Sequence, residues 1–141
     1  MNSPLLHDEV HELALDIVNA SAVEDKISEW AAYTKLKELC EENESTELNH
    51  PFQWESLGDF TAANDQAISI YRKALAIAEN LGEVEHVASI NFALAERYFE
   101  MEALEQAFDF AQHANDAAMG SEDLELRKEI SELLLIITKS T

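Results

Sequence analysis

The sequence predicts an all-α protein, and three observations support this fold class. Its 141 residues include 20 alanines and 17 leucines, but only three glycines and two prolines. Alanine and leucine are strong helix formers because they lose little side-chain freedom in a helix. Apolar residues recur at spacings of three and four, and no segment alternates apolar and polar residues for long enough to indicate a strand. A chain of this length is expected to fold as a single domain.

The first 43 residues predict an N-terminal helical hairpin. A first helix is expected to begin at Ser3, which is a favourable N-cap and is followed by Pro4. Its predicted apolar stripe consists of Leu6, Val10, Leu13, Ala14 and Ile17. Ser21 and Glu24 have the spacing of a capping box for a second helix. The predicted inner face of this second helix consists of Val23, Ile27, Trp30, Ala31 and Thr34, with Leu39 and Cys40 near its end.

Residues 44–58 predict an acidic loop and a short helical turn. We expect Phe52, Trp54 and Leu57 to pin this turn to the core, and Gly58 to end it. Asp59 is then expected to cap a third helix, which stops at Gly82 because glycine adopts the left-handed conformation at low cost.

Three more helices are predicted after Gly82, and Ser121 is expected to cap the last of them. Short connections make successive helices antiparallel neighbours. The sequence therefore predicts about six helices in antiparallel hairpins. Residues 1–43 form the predicted N-terminal hairpin, and residues 44–58 form the acidic loop and turn. Residues 59–119 form a core that resembles helical hairpin repeats, and residues 121–139 form a C-terminal capping helix.

The net charge of −20 restricts the partners of the protein. Such a surface repels phosphates, so neither nucleic acid nor an anionic membrane is expected as a partner, whereas basic proteins are attracted. Solubility alone is the alternative explanation of the charge. Cys40 is the only cysteine and is expected to be buried, and the N-terminal residues do not have the pattern of a signal peptide. We therefore expect a cytoplasmic protein.

A repeated pattern of small residues links two of the predicted helices. Ala67, Tyr71 and Ala74 in the third helix are echoed forty residues later in the fifth helix, by Ala107, Ala111 and Ala114. Small side chains at these positions let two helices approach closely. Together with Leu94, Ala95 and Tyr98 in the fourth helix, they resemble the packing positions of the tetratricopeptide repeat family.

The resemblance covers about one and a half repeats within residues 60–118. It departs from the family pattern at Glu102, where glycine is usual, and at Met119, where proline is usual. It implies a right-handed superhelix of helical hairpins that binds another protein.

The resemblance also implies a binding surface on the fourth helix. In proteins of this family, the first helix of each repeat lines a concave groove for a peptide or a partner helix. Carried over by position, the groove residues are Ser89, Phe92, Glu96, Phe99 and Glu100. Phenylalanines beside carboxylates suit a partner with apolar and basic residues. The alternative is that neighbouring helices cover Phe92 and Phe99.

No catalytic or cofactor site is expected from the sequence. His7 and His11 lie four residues apart, as metal ligands on one helix do, but no third ligand is indicated and two solvated histidines are the favoured interpretation. His50, His86 and His113 stand singly along the chain. With 29 carboxylates, pairs at catalytic spacing occur by chance. The sequence thus predicts no metal, no cofactor and no enzymatic activity.

The leading functional hypothesis is a non-enzymatic interaction module, such as an adaptor, scaffold or chaperone, for a partner with basic and apolar residues. The alternative is an acidic immunity protein or antitoxin that inhibits a cationic toxin such as a nuclease. A homo-oligomer is left open, because the apolar last helix offers a face that a second copy would cover.

Overall fold

Helices form almost the entire chain, in agreement with the predicted all-α class. The computed structural model describes residues 6–141, so the predicted helix start at Ser3 and Pro4 lies outside the described residues. Within 6–141 there are no strands. The helices are α1 His7–Ala22, α2 Lys26–Asn43, α3 Pro51–Asp59, α4 Asn64–Leu81, α5 Val84–Glu100, α6 Leu104–Ala118 and α7 Leu124–Ser140. The count exceeds the expected six because the short turn after the acidic loop is a helix of nine residues, α3.

Consecutive helices pack as hairpins. The extensive contacts are those of α1 with α2, α3 with α4, α4 with α5, α5 with α6, and α6 with α7. In addition, α3 contacts α5, and α5 contacts α7, so these three helices form one layer. One hydrophobic cluster joins α1 through α5, and two smaller clusters join α5, α6 and α7.

The first hairpin packs through a different face of α2 than the sequence predicted. The α1 stripe is confirmed, since Leu6, Val10 and Ile17 are buried. The predicted inner face of α2 is wrong for its first half: Ile27 is 85% exposed and Trp30 is 66% exposed. Val23, Ala31 and Thr34 also lack full burial. Near the end of the helix, the predicted burial of Cys40 is confirmed, and Leu39 is partly buried. The buried face of α2 consists of Ala32, Leu36 and Cys40.

Asp25, not the predicted capping box, begins α2. Its carboxylate accepts a hydrogen bond from the backbone N–H of Ser28 at 3.1 Å, and Ser21 lies within α1. Glu24 has a φ of 56°, in the left-handed region, and makes the turn between the two helices. The hydrogen bonds from Ser28 lower the pKa of Asp25 below its ordinary value.

Gly58 and Asp59 have other roles than those predicted. Gly58 does not end α3: it is buried within the helix, where a Cβ would lie 2.7 Å from the Tyr71 ring. Asp59 is the last residue of α3 and does not cap α4, which begins five residues later. Its carboxylate accepts a hydrogen bond from the Tyr71 hydroxyl at 2.6 Å. The expected burial of Trp54 and Leu57 is confirmed.

The small residues shared by α4 and α6 are buried, as the repeated pattern predicted. Ala67, Ala74, Ala107, Ala111 and Ala114 are each 0% exposed. Larger side chains at these positions would hold the packed helices apart.

Left-handed residues mark two of the helix ends in this half of the chain. Gly82 ends α4 with a φ of 69°, as predicted. Glu102, with a φ of 59°, makes the turn between α5 and α6 without a glycine. Asp123 caps α7 by accepting from the backbone N–H of Leu126 at 3.0 Å, so Ser121 is not the cap.

Candidate functional site

A groove with three carboxylates lies between the end of α3 and the last two turns of α5. We call it the acidic groove and define it by Asp59, Glu96 and Glu100. Its volume is about 520 Å³. The other lining residues are Phe60, Thr61, Ala62, Tyr71, Ala93 and Arg97. Asp59 and Glu96 come from different helices that touch in the α3, α5 and α7 layer, whereas Glu100 lies one helical turn beyond Glu96.

The one cationic side chain lining the groove is engaged elsewhere. Arg97 donates to the carbonyl oxygen of Gly58 at 3.1 Å, to that of Ala62 at 3.3 Å and to the Asn64 side chain at 3.2 Å. These bonds hold the α3–α4 connection against α5. Within residues 6–141, no Lys, Arg or His nitrogen lies within 4.0 Å of the Asp59, Glu96 or Glu100 carboxylates.

The groove raises the pKa of two of its carboxyl groups. Although the Asp59 residue is exposed on one side, desolvation of its carboxyl raises its pKa to about 6, against the opposing effect of the Tyr71 hydrogen bond. Loss of water around the Glu96 carboxyl raises its pKa, and the negative charges of Glu129 and Glu100 raise it further. Both carboxyl groups therefore lie in surroundings that disfavour their charged form.

The five residues predicted for the groove are divided among three surroundings. Glu96 and Glu100 line the acidic groove. Phe92 and Phe99 are partly buried and pack with α6 and α7, in clusters that include Leu133 and Ile137. Of the two alternatives for the phenylalanines, packing between helices is the one observed.

Ser89, the fifth predicted residue, lines a neighbouring groove of about 690 Å³, together with Glu55 and His86. Its hydroxyl donates to the Glu55 carboxylate at 2.5 Å.

A cluster of histidines and glutamates at the edge of this second groove was not predicted from the sequence. We call it the His–Glu cluster and define it by His50, Glu55, Glu83 and His86. His50 Nε2 lies 3.0 Å from a Glu83 carboxylate oxygen, and His86 Nδ1 lies 3.0 Å from one of Glu55. The two histidines, which stand singly in the sequence, thus meet with ring centroids 5.4 Å apart.

The pKa values of the two histidines are shifted in opposite directions. Burial lowers the pKa of His50, against the effect of Glu83. The hydrogen bond with Glu55 raises the pKa of His86, against the effect of its burial. The sequence signal for this cluster is weak: Glu83 and His86 have the three-residue spacing of ligands on one helix, but His50 and Glu55 lie about 30 positions away.

His7 and His11 do not converge on a common point. Their rings are stacked in parallel with centroids 6.2 Å apart, and the His7 ring also stacks on Phe52 at 4.7 Å.

No helix within residues 6–141 has both the length and the apolar character needed to cross a membrane. No protein-family model, no curated protein and no solved structure matches this chain.

Proposed function

We propose that this protein is a non-enzymatic, tetratricopeptide-repeat-like interaction module that binds a basic and apolar segment of another protein in the acidic groove. The observation that carries this proposal is the convergence of Asp59, Glu96 and Glu100 without a cationic partner. A lysine or arginine from a partner would relieve the repulsion among these carboxylates and compensate the desolvation of Asp59 and Glu96. Charge-assisted hydrogen bonds of this kind are about twice as strong as neutral ones.

The walls of the groove support a segment that also carries apolar residues. Phe60, Ala62 and Ala93 line the same groove as the carboxylates. The layer of α3, α5 and α7 is consistent with the concave surface of a helical repeat, in which the first helix of each hairpin lines the binding side. We therefore retain Glu96 and Glu100 as binding residues and add Asp59. We assign Phe92 and Phe99 to the packing of α5 on α7.

The acidic immunity protein or antitoxin remains the second candidate. Its support is the uncompensated charge of the whole surface: among residues 6–141, Lys73 with Glu44 is the single pairing of a lysine or arginine with a carboxylate within 4.0 Å. Such a field speeds association with a cationic nuclease. We propose the cytoplasm as the location for both candidates. The lone thiol of Cys40 is in accord with this, since it is buried and its pKa is raised to about 12 by that burial.

The test compares two variants that change the net charge equally. Glu96→Gln/Glu100→Gln removes two carboxylates from the acidic groove, whereas Glu9→Gln/Glu12→Gln removes two exposed ones from α1. The proteins captured by the wild type from a native extract are identified, and the Kd of each purified partner is measured for all three forms. We expect the groove variant to bind at least about tenfold more weakly, which corresponds to about 1.4 kcal/mol.

Equal weakening by the two variants would refute the groove, because only the net charge would then matter. A captured partner that is a basic nuclease, and whose activity the protein abolishes, would favour the second candidate over an adaptor.

A further inference from the structure

Three potential metal-binding side chains converge from two separate segments of the chain, the start of α3 and the start of α5. His50 lies in the loop before α3, Glu83 in the connection before α5, and His86 in the first turn of α5. One ligand atom from each residue lies within 4.8 Å of the other two. His50 Nε2 and His86 Nε2 lie 3.0 Å and 3.7 Å from carboxylate oxygens of Glu83.

Glu55 holds His86 in the orientation that a metal ligand needs. It lies 3.0 Å from Nδ1 of the ring, which leaves Nε2 directed towards Glu83. The other Glu55 oxygen accepts from the Ser89 hydroxyl, so the carboxylate is fixed as well. A carboxylate that orients a ligating histidine through its second nitrogen is a recurrent feature of metal sites, where it raises the basicity of the ligand.

We propose that His50, Glu83 and His86 bind one divalent transition-metal ion of the zinc class, with Glu55 as the positioning residue for His86. Two imidazoles and one carboxylate are ligands that such ions prefer. Calcium, in contrast, is bound by oxygen ligands and not by imidazole nitrogens. Ligand atoms at about 2.1 Å from a tetrahedral ion are about 3.4 Å apart. His50 Nε2 lies 3.0 Å from Oε2 of Glu83, His86 Nε2 lies 3.7 Å from Oε1, and one ligand atom from each residue lies within 4.8 Å of the other two, so side-chain rotations would bring the three ligands to this spacing.

The fourth coordination position is open to the second groove. Glu83 and His86 both line that groove, and their side chains are 35% and 28% exposed. A water molecule or a side chain of a partner would complete the coordination. The ion would also join the α2–α3 loop to the start of α5. This site adjoins the acidic groove, because Asp59 lines both grooves, but its proposed ligands are other residues and it does not depend on the proposed function.

His50 has a second role that the test has to separate from metal binding. Its Nδ1 accepts from the backbone N–H of Phe52 at 3.1 Å and so caps α3. When an ion binds Nε2, the single ring proton moves from Nε2 to Nδ1. Nδ1 then no longer accepts the hydrogen bond from Phe52, and the cap is lost. Asparagine is a favourable N-cap but is too short to reach the ion. His50→Asn therefore removes the ligand and keeps a cap.

The primary measurement is competition for Zn²⁺ between the purified full chain and a chromophoric chelator. Excess Mg²⁺ is included so that the many surface carboxylates do not contribute. We expect one Zn²⁺ per chain, and absorption in the visible range of a four-coordinate ion when Co²⁺ is used instead. Zn²⁺ is also expected to raise the melting temperature, because it binds the folded state.

Four variants test the assignment of the ligands. His50→Asn and His86→Gln should each weaken Zn²⁺ binding at least about tenfold, and Glu55→Gln by about 10- to 100-fold. The control is His113→Asn, an exposed histidine on α6 that should leave the affinity unchanged. Circular dichroism without metal checks that each variant is folded. Absence of stoichiometric Zn²⁺ binding by the wild type, or equal affinities of His50→Asn and His113→Asn, would overturn the proposal.

Discussion

At the scale of single residues, Asp59 connects stability with the proposed binding. Its carboxylate accepts a hydrogen bond from the Tyr71 hydroxyl at 2.6 Å. Gly58 leaves room for the Tyr71 ring, because a Cβ at this position would lie 2.7 Å from it. Its pKa is nevertheless raised to about 6, so the anion is less stable in the folded protein than in the unfolded chain. A residue of this kind destabilises the free protein at neutral pH and is available to a cationic partner.

The pH dependence of Asp59→Asn tests this interpretation. Because the folded pKa exceeds the ordinary value of 3.8, the contribution of Asp59 to stability is present below about pH 4 and is lost as the pH rises through about 6. Asparagine keeps the acceptor for Tyr71 but carries no charge. We therefore expect the variant to gain free energy of unfolding relative to the wild type between pH 4 and 7, measured by urea denaturation. Asp109→Asn, at an exposed position of α6, is the control and should show no such gain.

At the scale of elements, α2 carries apolar residues on two opposite faces. Ala32, Leu36 and Cys40 contact α1 and α3, whereas Ile27 and Trp30 point away from the core. Helical periodicity predicts that apolar residues three and four positions apart lie on the same face of the helix. Where two faces carry such residues, periodicity does not determine which face is buried. Three of the nine basic residues of the chain also lie in α2, at Lys26, Lys35 and Lys37.

Two substitutions distinguish the faces of α2. Leu36→Ala should lower the free energy of unfolding by about 2–5 kcal/mol, because it leaves a cavity at a residue that is 0% exposed. Ile27→Ser should change it by less than about 0.5 kcal/mol, because Ile27 is 85% exposed. Both values come from urea denaturation under the same conditions. A larger loss for Ile27→Ser than for Leu36→Ala would contradict the described orientation of α2.

At the scale of the whole molecule, repulsion among the acidic side chains opposes folding. The chain carries 29 acidic against nine basic residues. Charges of one sign destabilise a compact state more than an expanded chain, since folding brings them closer together. Salt shortens the distance over which they act, from about 30 Å at 0.01 M to about 3 Å at 1 M.

The melting temperature should therefore rise when NaCl is increased from about 0.01 M to about 1 M. The physical reason is the screening of like charges, so a variant with fewer carboxylates should respond less. Glu9→Gln/Glu12→Gln is suitable, because both positions are exposed on α1. A melting temperature that falls with salt would mean that attractive pairs outweigh the repulsion.

The sequence by itself determined the fold class and most of the helices. Helix-forming composition and apolar periodicity are local properties, and so are turn residues such as Gly82. The buried alanines of α4 and α6 were predictable for the same reason, because their spacing repeats. Helix starts were less predictable, since Asp25 and Asp123 compete with nearby serines for the cap.

Only the tertiary structure decided which side chains meet. His50 and His86 are brought together because α3 packs beside α5, and no local pattern in the sequence encodes that contact. The same packing places Asp59 beside Glu96 and directs Phe92 towards α7. Periodicity fixes the faces of one helix, whereas the neighbour of each face depends on contacts between residues far apart in the chain. The candidate sites of this protein consist of such contacts.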